Sequence, residues 1–358
     1  MQGRNRIYHY ATYWLSVSIL AFSLPLMGQP SVGNTPPNRT LAEAYYTQGR
    51  EEWNKRTEAG LQEALRLFKL AIEKDPRFAP ALAGLADAYS MMGDYRFRAP
   101  REVYPKARAA AEEALSIDPK SSAALTSIGW ISCIFDWDLP AAEASFKEAL
   151  ALDPHSAITY HFYSFCMGSA GKTKHAEELI ERARSLDPHS LIIRTDEGVI
   201  QLFQKHPRRA ITIFENICRE HPEFITARFA LGQAYLKMGR PREAVQNLEI
   251  AAKLSGRSSF TLALLGEAYW QAGKHKDTVA ILDELLARRK RGYVSALDLA
   301  SLEYRIGGSD AVWGWLEQAC QERSPWMLQV PSDQRFSALT PDPRWRKVME
   351  GCGLPRLK

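Results

Sequence analysis

A protein built only of helices, stacked as about eight antiparallel pairs, is the fold class this sequence predicts, and three observations carry the prediction. The pentapeptide Leu-Asp-Pro-His-Ser stands at residues 152–156 and again at 186–190, a step of 34. On the same step Asp153-Pro154 and Asp187-Pro188 are followed by His221-Pro222, and the positions 12 residues before those prolines hold Ala142, Ala176 and Ala210. Behind each alanine comes a large apolar side chain at the fourth residue and a further apolar one three later, spacings that share one face of a helix. A lone helix pair cannot bury that face. Stacked neighbours bury it for one another, so each unit needs the same residues at the same step.

In chain order, the first ten residues carry Arg4 and Arg6, and residues 11–28 carry no charge. A basic start before an apolar run is the pattern of a secretory signal peptide, expected over 1–28. An N-terminal membrane anchor through 7–28, about 20 residues long, is the competing reading. Both place the rest of the chain outside the cytoplasm, periplasmic or anchored in the inner membrane. Residues 29–41, rich in Pro, Asn and Thr, are expected to be a disordered linker.

The array is expected over 42–323, in pairs at 42–76, 77–119, 120–154, 155–188, 189–222, 223–256, 257–290 and 293–323. The second helix of each pair carries the Ala, large apolar, Ala face: Ala64, Phe68 and Ala71; Ala107, Ala111 and Ala114; Ala142, Phe146 and Ala149; Ala176, Ile180 and Ala183; Ala210, Phe214 and Ile217; Ala244, Leu248 and Ala251; Thr278, Leu282 and Leu285. The first helix carries Leu231-Gly232 with Tyr235 and Leu265-Gly266 with Tyr269, and weaker copies at Leu85-Ala86 with Tyr89, Ile128-Gly129 and Gly198. The small residue admits the partner helix. Gly171, Gly239 and Gly273 close first helices, and proline opens the next unit. The second unit is nine residues too long, through residues 94–105, which are expected to widen the turn, with Pro105 opening the next helix. That turn is either packed on its own helices or a protruding contact loop. Residues 324–358 form an expected capping segment with a last helix after Pro343.

The pattern Leu-Gly-x-x-Tyr, Gly, Ala, large apolar, Ala, Pro at period 34 resembles the tetratricopeptide repeat. The family's first-helix Trp is absent, and Glu197 stands where Leu is expected. The resemblance implies a right-handed superhelical solenoid whose first helices line a concave groove that takes extended or helical peptides. The stretches WNKRT (53–57) and FDWD (135–138), with the ending from Trp315 to Glu350, resemble the C-terminal repeat regions of bacterial winged-helix, kinase or nucleotide-cyclase regulators. Only ten residues precede the apolar run, so no effector domain and no effector activity is expected.

The net charge of +5 falls to +3 without Arg4 and Arg6, too little and too dispersed for a nucleic-acid partner. The run Arg288-Arg289-Lys290-Arg291 suits a helix C-terminus. Cys133, Cys166, Cys218, Cys320 and Cys352 read as small buried hydrophobes; pairing in an oxidising compartment is possible, with partners left open. No HExxH, phosphate loop or GxSxG occurs. His155, His189, His206, His221 and His275 read as turn groups rather than metal ligands. A non-enzymatic interaction scaffold is expected, with no cofactor, metal or small-molecule substrate. Its partner-binding residues are Trp130, Ile134, His161, Phe165, Val199, Leu202, Phe229, Leu236, Phe260 and Trp270, an apolar lining suited to an apolar or amphipathic segment of another protein. No carboxylate clamp is expected, because Ala83, Thr126, His161, Thr195 and Phe229 hold the comparable places. Two alternatives stand beside the scaffold: a sensor or regulatory module for a separate effector chain, and a periplasmic assembly or chaperone subunit. A fold-back of Trp326, Phe336 or Trp345 into the groove is the competing account of the lining.

Overall fold

The computed structural model of the chain describes residues 37–354, and no strand occurs among them. The expected signal or anchor at 1–28 lies outside the described residues, as does the linker up to Pro36. Eight helix pairs follow: α1 (Pro37–Asn54) with α2 (Glu58–Lys74), α3 (Ala79–Asp94) with α4 (Pro100–Ile117), α5 (Ser122–Ile131) with α6 (Leu139–Leu152), α7 (Ala157–Ser169) with α8 (Thr173–Leu186), α9 (Leu191–Phe203) with α10 (Pro207–Glu220), α11 (Ile225–Lys237) with α12 (Pro241–Leu254), α13 (Ser259–Gln271) with α14 (His275–Arg289), and α15 (Ala296–Gly307) with α16 (Ser309–Gln321). α1 begins inside the stretch expected to be linker. Pro37 suits a first helical position, where a missing N–H costs no intrahelical bond.

The pentapeptide is the joint between units. Asp153 and Asp187 end α6 and α8, their N–H groups donating to the carbonyls of Ala149 and Ala183. Their carboxylates accept the N–H groups of His155 (3.0 Å) and Ser190 (3.1 Å). The hydroxyls of Ser156 and Ser190 then accept from the N–H groups of Thr159 and Ile193, capping α7 and α9. The proline between stops one helix without obstructing the next.

All the Ala, large apolar, Ala positions from Ala64 to Leu285 are at most 6% exposed. The glycines of the first helices admit those large side chains: a Cβ on Gly129 would lie 2.9 Å from the Phe146 ring, and one on Gly232 2.5 Å from Leu248. Between the helices of successive pairs, Trp137, Gly171, Lys205, Gly239 and Gly273 recur at 34 residues, all with left-handed φ between 62° and 79°.

The long second unit departs from expectation. Pro100, not Pro105, opens α4, and Pro105 lies inside it. The extra length goes into helix as much as turn: α3 has 16 residues against 13 in α7, and α4 has 18 against 14 in α8. Pro105 forfeits one helical hydrogen bond. Burial of Val103, Tyr104 and Ala107 around it offsets that loss.

Consecutive first helices pack on one another, whereas consecutive second helices do not to a comparable extent, so the array curves with its first helices inside. After α16 come two 3₁₀ segments, Pro325–Ser332 and Gln334–Leu339, and then α17 (Pro343–Cys352), the last helix the sequence predicts. Four cysteines are more than buried hydrophobes. Cys133 is bonded to Cys166 and Cys320 to Cys352, with Cα atoms 6.1 and 5.1 Å apart, while Cys218 is buried and free.

Candidate interaction groove

The ten expected lining residues all come from the first-helix side. Trp130 lies on α5, and Ile134 on the π-helical turn that extends it, Ser132–Asp136. His161 and Phe165 come from α7, Val199 and Leu202 from α9, Phe229 and Leu236 from α11, and Phe260 and Trp270 from α13. They do not form one open strip. Trp130, Ile134, His161, Phe165, Leu202 and Phe260 are buried; Val199, Phe229, Leu236 and Trp270 are half-buried. Trp130 packs 4.6 Å from Phe162 and 5.7 Å from Phe165, and belongs with Ile134 to one apolar cluster. Leu202, Phe229 and Leu236 belong to a second, and Val199 touches both. Phe229 stacks on Phe260 at 3.9 Å, and Trp270 meets His275 edge-on at 4.1 Å. His161 is held by Asp196, Nε2 to Oδ2, at 2.6 Å.

What covers the first cluster is the C-terminal segment. Trp326 meets Phe165 edge-on at 5.9 Å, and its indole N–H donates to the carbonyl of Asp94 (3.2 Å). Gln329 donates to the hydroxyl of Ser169 (3.2 Å). Met327, Leu328, Val330, Phe336 and Leu339 are buried in the same cluster as Trp130 and Phe165. Arg323 lies over the Trp137 ring and donates to the carbonyl of Asp136. Of the three tail aromatics, Phe336 packs on Tyr304 at 6.3 Å, and Trp345 is half-buried on α17.

The residues that close the array were not legible as site residues. The 95–99 turn crosses to the seventh and eighth pairs instead of protruding. Tyr95 stacks on Phe97 and meets Phe260 edge-on at 5.9 Å. Arg96 lies over the rings of Phe260 and Trp326 and bonds Asp298 on α15 at 2.9 Å, both side chains at most 10% exposed. Burial pushes the Asp298 carboxyl up to about 6, against the pull of Arg96 and Arg335. Asp94 accepts from the Tyr104 hydroxyl and from the Trp130 indole N–H (2.9 Å). Burial still raises its carboxyl to about 7. The signal available in the sequence was the surplus length of the second unit. A further unread residue, Arg56, lies within WNKRT and is buried over Trp53.

Among the described residues no group of three or more His, Cys, Asp or Glu side chains is placed to hold a metal ion. No described helix is long and apolar enough to cross a membrane.

A curved stack of helix pairs with an apolar inner side and no strand among its described residues is an all-α repeat array, a fold that supports a protein–protein interaction scaffold. The fold is that of a tetratricopeptide repeat array. A family model described as anaphase-promoting complex, cyclosome, subunit 3 matches residues 204–285. Superkiller protein 3 of Schizosaccharomyces pombe is 24% identical over 269 residues, 74% of this chain; the chain spans only 16% of that protein's length. Among solved structures, human IFIT1, determined as a dimer with m7Gppp-AAAA, superposes with a TM-score of 0.58 at 17% identity, covering 86% of this chain and 72% of that one. Yeast Tom70 superposes with a TM-score of 0.50 at 14% identity, covering 89% of this chain and 69% of that one. These likenesses are of fold.

Proposed function

We propose that the protein is a non-enzymatic scaffold, exported and held in or tethered to the cell envelope, whose inner groove receives an apolar or amphipathic segment of a partner protein. The observation that carries the reading is the contact of Trp326 with Phe165. The first-helix side packs against an aromatic, apolar stretch of polypeptide, the chain's own residues 325–339, and this supports an apolar or amphipathic partner segment. Two disulfides support an oxidising compartment, as does the basic and apolar sequence start. A partner segment would exchange with the C-terminal one, which is short and 3₁₀-helical.

The test is capture of partners from detergent-solubilised membranes, followed by mass spectrometry, with the wild type, Phe165→Ala, Trp270→Ala and Trp326→Ala. Loss of specific partners with the first two variants and a gain with Trp326→Ala are expected. Unchanged capture alongside a lowered melting temperature would show these side chains to be core alone.

A further inference from the structure

One position that the repeat holds constant has no role in packing the array. Lys174, Arg208, Arg242 and Lys276 recur at a step of 34, and all four are exposed. The repeat's other landmarks each build the fold: the Ala, large apolar, Ala face is buried, the Asp-Pro-x-Ser joint stops and caps helices, and the left-handed residue turns the chain. None of the four cations forms an ion pair or donates a side-chain hydrogen bond. Each is the second residue of its helix, α8, α10, α12 or α14, where the helix dipole disfavours positive charge. Helix stability therefore does not account for them.

Equivalent residues of stacked pairs lie in a row. The four cations thus run along one edge of the array, where the first helix of each pair turns into the second. Lys205 and Arg209 flank Arg208, exposed and also without an ion pair. Carboxylates are sparse in the first turns of these helices. α8 and α10 have none there, Glu243 of α12 is engaged by Arg240 (2.8 Å), and Asp277 of α14 is exposed. Glu178 stands one turn behind Lys174. A second exposed row, Glu181, Glu215, Glu249 and Asp283, follows seven residues further along the same helices. Seven residues span about 10 Å of helix, roughly one screening length at 0.1 M salt. The edge itself therefore presents positive charge.

We propose that this edge docks the array on an anionic lipid surface, its cations received by the phosphate groups of the bilayer. The form of the row favours a bilayer over a nucleic acid. Cations on successive turns can meet a plane of phosphates together, whereas bases need open aromatic faces to stack on. The rings at this edge are already covered. Arg240 lies over Tyr235 (4.6 Å), Lys274 lies over Tyr269 (5.1 Å), and Trp270 meets His275 edge-on. The surface goes beyond the groove reading: it lies at the ends of the pairs, needs no protein partner, and does not require residues 7–28 to enter a membrane.

The purified full chain would be co-sedimented with vesicles of phosphatidylcholine alone, and of phosphatidylcholine and phosphatidylglycerol in equal parts. Tighter binding to the second, lost on raising the salt, is expected. Combining Lys174→Gln, Arg208→Gln, Arg242→Gln and Lys276→Gln should weaken binding to the anionic vesicles at least about tenfold, since each basic residue near such a surface contributes a factor of about five. A matched variant, Arg77→Gln, Lys120→Gln, Lys290→Gln and Arg291→Gln, removes as much exposed charge at the joints between pairs. It should bind within about twofold of the wild type. Glutamine is a good helix former, so both variants should melt as the wild type does. Vesicles and variants are compared on one chain, so adhesion through the apolar sequence start cancels. Equal binding to the two kinds of vesicle, or equal losses in the two variants, overturns the proposal. Tighter binding of single-stranded oligouridylate than of the anionic vesicles assigns the edge to nucleic acid and overturns the bilayer.

Discussion

At the scale of the residue, two side chains, Trp137 and Lys205, occupy a place the repeat gives to glycine. Gly171, Gly239 and Gly273 hold the left-handed turn between paired helices at φ 66–79°, and Lys205 holds the same turn at φ 63°. A residue with a Cβ in that conformation is disfavoured by about 1 kcal/mol. Lys205 is exposed, and neither an ion pair nor a side-chain hydrogen bond holds it there. Lys205→Gly should therefore stabilise the protein by up to about 1 kcal/mol, less the greater entropy glycine gives the unfolded chain, read as a raised urea midpoint with unchanged slope. Asp94 makes a prediction in pH. Its carboxyl sits at about 7 in the fold against 3.8 when unperturbed, so the folded chain holds a proton that the unfolded chain releases. That contribution is complete below the unperturbed value and is lost as pH rises through about 7. Asp298, raised to about 6, acts in the same direction. Glu143 acts in the opposite one: Lys147 and Lys172 hold it down to about 2, so its contribution is lost only in strong acid. Urea midpoints should fall from pH 5 to pH 8, and Asp94→Asn should flatten much of that slope. An unchanged slope in the variant would assign the dependence elsewhere.

At the scale of the element, the units were legible because each is written by a local rule. Four-and-three spacing sets the buried face, Asp-Pro-x-Ser stops one helix and caps the next, and glycine turns the chain. Every one of these acts within a few residues. Features that join residues far apart were less legible. Pro100 and Pro105 are equally plausible helix starts by local rules; burial of Val103 and Tyr104 by other elements chose the first. The cysteines carried no pairing signal, because pairing depends on which helices face each other across units. Cys133–Cys166 closes a loop of 33 residues between the extension of α5 and α7. A loop of that size is worth about 3.7 kcal/mol in the chain-entropy account. Cys133→Ser with Cys166→Ser should lower stability by about that amount, measured against the oxidised wild type. A wild type whose stability does not change on reduction would show that the bond does not form in solution.

At the scale of the molecule, the array differs from an open solenoid. In an open stack each unit contacts only its neighbours, and damage stays local. Here the 95–99 turn of the second pair reaches Phe260 on α13 and Asp298 on α15, and Trp326 returns from beyond α16 to Asp94 and Phe165. Units far apart in sequence are thus bound to a common fate. The ten expected lining residues lie on the first-helix side, and their half-buried or buried state follows from this closure, which no single-unit pattern encodes. The closure has a measurable consequence. Arg96→Met keeps the bulk of the side chain and leaves Asp298 buried without its cation, a change that in comparable buried pairs costs roughly 3–5 kcal/mol. Amide hydrogen exchange should then speed up together in the 95–99 turn, at the start of α15 and along 325–339. Ile211→Ala, at a buried site on α10 away from that junction, should speed exchange mainly in α9, α10 and α11. If Arg96→Met loosened the second pair alone and left α15 and the C-terminal segment protected, the two ends would be independent. Release of residues 325–339 to a competing partner could not then be coupled to the turn that holds Trp326.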